Sequence, residues 1–280
     1  MAVHVNTPSD LKRAQTYESN LRAFARCRCL AAGGWVLKKG EVEVAACPFL
    51  DFVNGLSSPA WPEGRAAENL LVALRLFQPF GQGMLVQLGP SSPAAVLREL
   101  LLGYGFKCTY HVPYMHLDLK TFDHDLLAPR GIQVEVVDDF TVFDRCAHPW
   151  IGSATTDSRR SRLKALKSMC SGSNPVAWQY VAKRGDSVVG AALVYRYRKN
   201  VGFYDVIVVQ SERKKGIGAH LMSVACRVAA DRGFAAAGLG ASGRRVGLYT
   251  KVEFIECGHY GEYFLSRSKI VSLDLGKQPR

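Results

Sequence analysis

Three consecutive cations followed by two glycines give this chain its most chemically suggestive stretch, Arg213-Lys214-Lys215-Gly216-Ile217-Gly218. Glycine lets the backbone turn and approach a ligand closely. Ile217, Leu221, Val224, Ala225 and Val228 then recur at the helical period, so the loop opens a long helix. At such a helix start the unpaired N–H groups and the positive end of the dipole favour phosphate, and Arg213, Lys214 and Lys215 strengthen that field. A surface turn with solvated lysines would show the same residues. The context separates the two readings: an apolar strand, Phe203–Val209, runs directly into the loop, and a further patterned segment follows the helix.

The elements that must position this loop follow from periodicity and punctuation. Phe203–Val209 is preceded by a hairpin, Ala177–Lys183 and Ser187–Arg196, turning at Arg184-Gly185-Asp186. After the long helix, Gly233 is a stop, Ala235–Leu239 a strand of small residues, Arg244–Lys251 a short helix, and Phe254–Cys257 and Tyr260–Ser266 closing strands. Upstream, Ile132–Val137 is a strand, Asp138-Asp139 starts a helix, and the basic run Arg159–Lys167 is an amphipathic helix. Leu126–Gly131 is a linker. Before it come a helix over Leu11–Leu30 ending at Gly33-Gly34 and a hairpin of Trp35–Leu37 and Glu41–Ala46. A strand over Phe49–Val53, a helix over Ala66–Phe77 and a strand at Met84–Leu88 follow. The series closes with a helix to about Leu102 and strands over Cys108–Leu119 interrupted at Pro113. Strands and helices interleaved in this way give a mixed α/β sheet with helices on both faces.

Composition narrows the partners. The chain has 280 residues and a net charge of +12. Residues 1–130 carry 13 Lys/Arg and 11 Asp/Glu, and residues 131–280 the other 23 and 13, so the second half attracts anions. No apolar run reaches the roughly 20 residues of a membrane helix, and Met1–Asp10 lacks a signal-peptide pattern; a cytoplasmic protein with no membrane partner is expected. The eight cysteines are scattered, and Cys27-Arg28-Cys29 has no second pair at zinc spacing, so no metal is expected. Aromatics are not interleaved with the basic run Arg159–Lys167, which argues against nucleic acid. That run is a solvated face or a border for an acidic acceptor.

The segment Val206-Ile-Val-Val-Gln-Ser-Glu-Arg213-Lys-Lys-Gly216-Ile-Gly218-Ala-His-Leu-Met resembles the central motif of the GNAT superfamily of CoA-dependent N-acyltransferases. That motif is a hydrophobic strand, then [Arg/Gln]-x-x-Gly-x-[Gly/Ala], then a helix. Leu248-Tyr249-Thr-Lys-Val-Glu-Phe254 resembles the family's later Leu-Tyr-x-x-x-Gly-Phe. The resemblance covers roughly 132–268. It implies a mixed, mostly antiparallel sheet flanked by helices, with a V-shaped opening between the strand ending at Val209 and the strand Ala235–Leu239. It implies acetyl-CoA as co-substrate, its pantetheine arm along Ile207, Val208 and Val209. The pyrophosphate would lie on the amides of Lys214, Lys215, Gly216, Ile217, Gly218 and Ala219, beside Arg213. A backbone N–H near Val208 would polarise the thioester carbonyl. Tyr249 matches the tyrosine that often protonates the departing thiolate; the alternative for the residue is a core aromatic with a hydrogen-bonded hydroxyl.

Strand alternation places Asp205 on one face with Ile207 and Val209, where it is a candidate general base or a solvated Asp. His259 and Glu256 are weaker candidates, and His220 is expected to be exposed. The chain departs from the family at Gln210, where proline is common, at Ser242, where asparagine often stands, and at Glu253, which replaces the motif glycine. The last departure predicts a different local turn and puts the placement of Tyr249 in doubt.

Residues 1–125 lack the [Arg/Gln]-x-x-Gly-x-Gly loop but contain Leu101-Leu-Gly-Tyr-Gly-Phe106, which looks like the late motif with its Gly-Phe intact. Two GNAT-like domains in tandem are therefore expected: 1–125 degenerate or a cap, 131–270 catalytic, 271–280 a tail. The reading is transfer of acetyl from acetyl-CoA by direct attack of a primary amine, on a small molecule or an amino terminus. The second reading is a GNAT-fold acyl-CoA sensor or scaffold. A third, RNA-linked reading rests on charge alone.

Overall fold

The fold is described from a computed structural model, over residues 7–48, 54–123, 126–137, 156–241 and 245–276. Its elements in chain order begin α1 (Pro8–Ala31), β1 (Trp35–Lys39), β2 (Val42–Ala46), β3 (Gly55–Ser57), α2 (Ala66–Phe77), β4 (Met84–Leu88), α3 (Ala94–Gly103) and β5 (Lys107–Asp118). They continue with β6 (Ile132–Val136), α4 (Thr156–Cys170), β7 (Ala177–Arg184), β8 (Ser187–Tyr197) and β9 (Asn200–Val208). The last are α5 (Ile217–Asp231), β10 (Ala236–Gly240), α6 (Val246–Thr250), β11 (Ile255–Leu265) and α7 (Arg267–Ser272). The chain divides into two compact units, Met1–Pro113 with Cys257–Arg280, and Tyr114–Glu256.

In the first unit Thr7 caps α1, its side chain accepting from the Asp10 amide at 3.1 Å. β1, β2 and β3 pair antiparallel in turn, β3 runs parallel to β4, and β4 pairs antiparallel with Gly261–Leu265 of β11. Alternate residues of β2, Val42, Val44 and Ala46, are buried with Leu70, Ala73, Leu74 and Phe77 of α2 in one core.

The second unit repeats that order. β6, β7, β8 and β9 pair antiparallel in turn, β9 runs parallel to β10, and β10 pairs antiparallel with Tyr114–Asp118 of β5. One stripe of α5, with Ile217, Leu221, Met222, Ala225 and Ala229, is buried in a core with Ala192, Val194 and Phe203 of the sheet. Three antiparallel strands in the first unit and four in the second are thus each followed by a helix, a parallel strand, a short helix and a closing strand. The fold is the mixed, mostly antiparallel tandem arrangement the sequence implies.

Several elements differ from the sequence reading. The closing strands are exchanged: the strand after α3 supplies the edge partner of β10, and the strand after α6 supplies that of β4. The compact units therefore do not follow the linear division into 1–125, 131–270 and 271–280. β5 is unbroken although it contains Pro113, which is the last residue of the first unit and directly precedes Tyr114–Asp118, the stretch paired with β10. β11 is likewise one strand through Gly258-His259, Gly258 taking φ +149. The Leu126–Gly131 linker is held against α5, the Leu126 amide donating to Ser223 Oγ at 3.4 Å. The strand at 49–53 and the helix start at Asp138-Asp139 lie outside the described residues.

Candidate functional site

β9 is not a regular strand. Its register against β8 slips between Ala191 and Leu193, so Asp205 and Val206 together stand opposite Ala192 in a β-bulge. Asp205 takes φ +50, a left-handed conformation that Asp tolerates better than most residues. The premise that placed Asp205 on one face with Ile207 therefore fails, since alternation does not survive a bulge. Asp205 is half-buried within it.

The bulge fixes which backbone groups are free. Val209 N–H donates to Val189 O at 2.9 Å, and Val208 stands opposite Gly190. Antiparallel pairs alternate between bonded and non-bonded, so Val208 turns its N–H and C=O away from β8 while Ile207 and Val209 turn theirs toward it. The Val208 carbonyl accepts from Arg213 Nε at 3.0 Å on that outer side. There β9 borders β10, but the two strands pair only from Asn200 to Gly202 and from Ala236 to Gly238. Beyond those residues β9 continues to Val208 and β10 to Gly240 without pairing to each other, so the parallel strands splay. Val208 N–H points into the opening.

The loop that follows turns through two left-handed residues, Lys214 at φ +63 and Gly216 at φ +81. Gly216 precedes the helix, and its carbonyl accepts the first helical bond, from His220 N–H at 3.0 Å. The amides of Ile217, Gly218 and Ala219 therefore have no partner within α5. Lys215 Nζ and Arg184 Nη2 lie 3.2 and 3.0 Å from the Glu212 carboxylate. Hydrogen bonds from Arg184 and then Lys215 hold that carboxyl below the usual range. The cationic loop thus carries its own counter-charge, while Lys214 and Gly216 remain exposed. Gly218 serves packing: a Cβ there would lie 2.8 Å from Leu248 Cδ1, so the glycine lets α6 press onto α5.

Tyr249 lies on α6 and is 4% exposed. Its ring meets Phe254 edge-on at 6.1 Å. Burial pushes its hydroxyl up to about 12, against the pull of Arg245. The turn after α6 is not altered by Glu253, contrary to the sequence reading. Glu253 takes φ +65, the conformation the missing glycine would adopt. Phe254 N–H reaches Tyr249 O at 3.1 Å and Glu253 N–H reaches Thr250 O at 3.1 Å, a Schellman cap. Residues 101–106 make the same cap, Phe106 N–H to Leu101 O and Gly105 N–H to Leu102 O, both 2.9 Å, with Gly105 at φ +87.

Of the weaker candidates, His220 is half-buried rather than exposed, its Nδ1 3.0 Å from Leu126 O. Glu256 is exposed, and His259 belongs to the first unit. Ser242 lies outside the described residues. Arg245 was not read from the sequence: its Nη1 donates to Val206 O in the bulge at 3.2 Å. Nothing in its local pattern signals that contact, which depends on a bulge that is itself silent in the sequence. Among the described residues no group of three or more His, Cys, Asp or Glu could hold a metal ion. No helix among them is long and apolar enough to cross a membrane.

The first unit closes the equivalent place. β3 stays paired with β4 through Ser57, and Ser58 N–H continues the ladder to Gln87 O at 2.9 Å. Glu18 of α1, fully buried, accepts from the Ser91 amide at 3.1 Å and from the Ser91 hydroxyl. Burial raises its carboxyl, and the Ser91 bonds oppose that shift.

Residues 144–254 match the Acetyltransferase (GNAT) family. No curated protein matches the chain. Among solved structures, a GCN5-related N-acetyltransferase from Kribbella flavida is similar at 13% identity and TM-score 0.64, over 87% of this chain and 94% of that one. A GCN5-related N-acetyltransferase from Sphaerobacter thermophilus is similar at 16% identity and TM-score 0.56, over 84% and 76%. A tandem GNAT protein from the clavulanic acid biosynthesis pathway is similar at 11% identity and TM-score 0.51, over 95% and 98%. At these identities the structures speak for the fold alone. The family match is therefore confined to residues 144–254, and the solved structures add a shared fold, that of single and tandem GNAT proteins, over most of the chain.

Proposed function

We propose that the second unit is an N-acetyltransferase that transfers acetyl from acetyl-CoA to a primary amine by direct attack, and that the first unit is a degenerate GNAT-like half. The splay of β9 from β10 beside the unpaired amides of α5 carries this reading. Acetyl-CoA, when bound, supplies an acetyl group activated as a thioester. The amides of Ile217, Gly218 and Ala219, with the cations Arg213 and Lys214, suit a pyrophosphate. The backbone of Ile207, Val208 and Val209 borders the opening that suits the pantetheine arm. Val208 N–H donates to a carbonyl oxygen that gains negative charge. Tyr249 holds a proton at its hydroxyl for the departing sulfur, and Asp205 takes the proton of the acceptor amine, directly or through water. The acceptor is a small molecule or an amino terminus. The closed strands and buried Glu18 of the first unit support its reading as a half without a cofactor cleft.

Gly216 gives a clean test. It is exposed, and a Cβ there would meet only Pro129 Cγ at 3.6 Å. Asn and Asp both tolerate its left-handed backbone and differ mainly in charge. In calorimetry, Gly216→Asn is expected to keep acetyl-CoA affinity within about tenfold of wild type and Gly216→Asp to lose a further tenfold or more. No binding by folded wild type would remove the reading. Binding without thiol release across a panel of amines would favour the sensor or scaffold.

A further inference from the structure

We propose that the first unit carries a separate binding site, between α1 and the β1–β2 hairpin, for a zwitterionic small molecule of about dipeptide size. A cavity of about 520 Å³ lies there, within the range of small-molecule sites. Its walls are opposite in sign. Arg22 and Arg26 stand one helical turn apart on α1, on one helix face. Glu41 and Glu43 stand two apart on the hairpin, on one strand face. Ala25 and Ala45 leave the surface between them small and apolar. Opposed walls of this kind set up a field across the cavity. That field orients a molecule carrying both an ammonium and a carboxylate, whereas a single ion gains at one wall and loses at the other.

The recognising groups are already held. Arg22 donates to Ser58 O at 2.7 Å and to Ser19 Oγ at 3.2 Å, which uses part of the five N–H donors of a guanidinium. Glu41 accepts from Arg65 Nη1 at 3.2 Å and Asn69 Nδ2 at 3.3 Å, one bond to each oxygen, leaving further lone pairs. Trp61, 8% exposed, donates Nε1 to Glu41 O at 3.3 Å and fixes the loop beside them. Such preorganisation lowers the cost of ordering on binding. Arg26 and Glu43 meet at 2.5 Å with 51% and 38% of their side chains exposed. An exposed pair adds little to stability, so ligand charges replace it at small cost. The ligand carboxylate takes Arg22 and Arg26, its ammonium takes Glu41 and Glu43, and an aliphatic side chain covers Ala25 and Ala45.

The test is a calorimetric titration of the full chain with leucyl-alanine, its N-acetyl form and its C-terminal amide. Wild type, Ala25→Phe and Glu43→Gln are compared. Ala25→Phe fills the cavity; Glu43→Gln keeps its shape, removes one charge from a part-exposed position and guards against a folding defect in the first variant. The expected result is saturable binding of leucyl-alanine at a Kd of about 1 mM or tighter. Both blocked forms are expected to bind at least tenfold weaker, as is leucyl-alanine to each variant. Absence of saturation by about 10 mM, equal affinity for the blocked forms, or binding indifferent to both variants would overturn the proposal. Leucyl-alanine also carries a primary amine, so binding lost in Gly216→Asp but not in Ala25→Phe belongs to the second unit and likewise overturns it. The acetyl-CoA titration is read separately, so either proposal can fail alone.

Discussion

Tyr249 combines two properties that bear on its proposed role as an acid. It is 4% exposed, and burial pushes its hydroxyl up to about 12. A tyrosine ordinarily near 10 that is raised in this way stays protonated through the whole neutral range. The profile of kcat against pH is therefore expected to show no fall attributable to Tyr249 below about pH 10. Tyr249→Phe is expected to lower kcat about 100-fold while KM for acetyl-CoA changes little. Steady-state assays between pH 6 and 9.5 check both; an unchanged kcat in Tyr249→Phe would return the residue to the core. At this scale the sequence was legible where chemistry depends on residue type and local spacing. Arg213–Gly218 and Tyr249 stand out by type, and the loop does precede a helix start. The bulge at Asp205 was not legible, because no glycine or proline marks it, and the extra residue becomes visible only against the register of β8.

The short helices show how an element can be preserved while its signature residue changes. α3 and α6 end in the same pair of backbone bonds, one with Gly105 and the other with Glu253 in the left-handed position. A non-glycine residue there costs roughly 1–2 kcal/mol, which the packing of Phe254 on Tyr249 offsets in place. Glu253→Gly is therefore expected to stabilise the protein by about 0.5–1 kcal/mol, less than the full strain because glycine also loses more entropy on folding. That corresponds to a rise in Tm of about 1–4 °C, read from a thermal melt; a fall would mean the Glu253 side chain contributes more than the strain removes. The sequence overstated this departure by treating glycine as a requirement when the backbone only favours it. Helices and most strands were legible because their periods are local. The breaks assigned at Pro113 and Gly258-His259 were not real, since continuity there depends on partners far along the chain.

For the molecule as a whole, the exchanged closing strands decide where it can be cut. A fragment spanning 126–280 lacks Tyr114–Asp118, which pairs with β10 and brings in Tyr114, Met115 and Leu117, all at most 5% exposed. Losing three such side chains forfeits several kcal/mol, comparable to the net stability of a domain. The fragment 126–280 is expected to show no cooperative thermal transition, while 114–256 melts cooperatively; calorimetry distinguishes them, and a sharp transition in 126–280 would contradict the exchange. This feature was illegible because a strand's own residues specify which face is buried, and β5 and β11 read alike whichever neighbour they join.

The exchange also sets an order of events during synthesis. β4 emerges from the ribosome within the first third of the chain, but its antiparallel neighbour Gly261–Leu265 is made near the end. At typical elongation rates of about 5–20 residues per second, that strand edge waits on the order of ten seconds or more without its native partner. An exposed edge is a template for mispairing, so the nascent N-terminal half is where mispairing has the longest opportunity to occur.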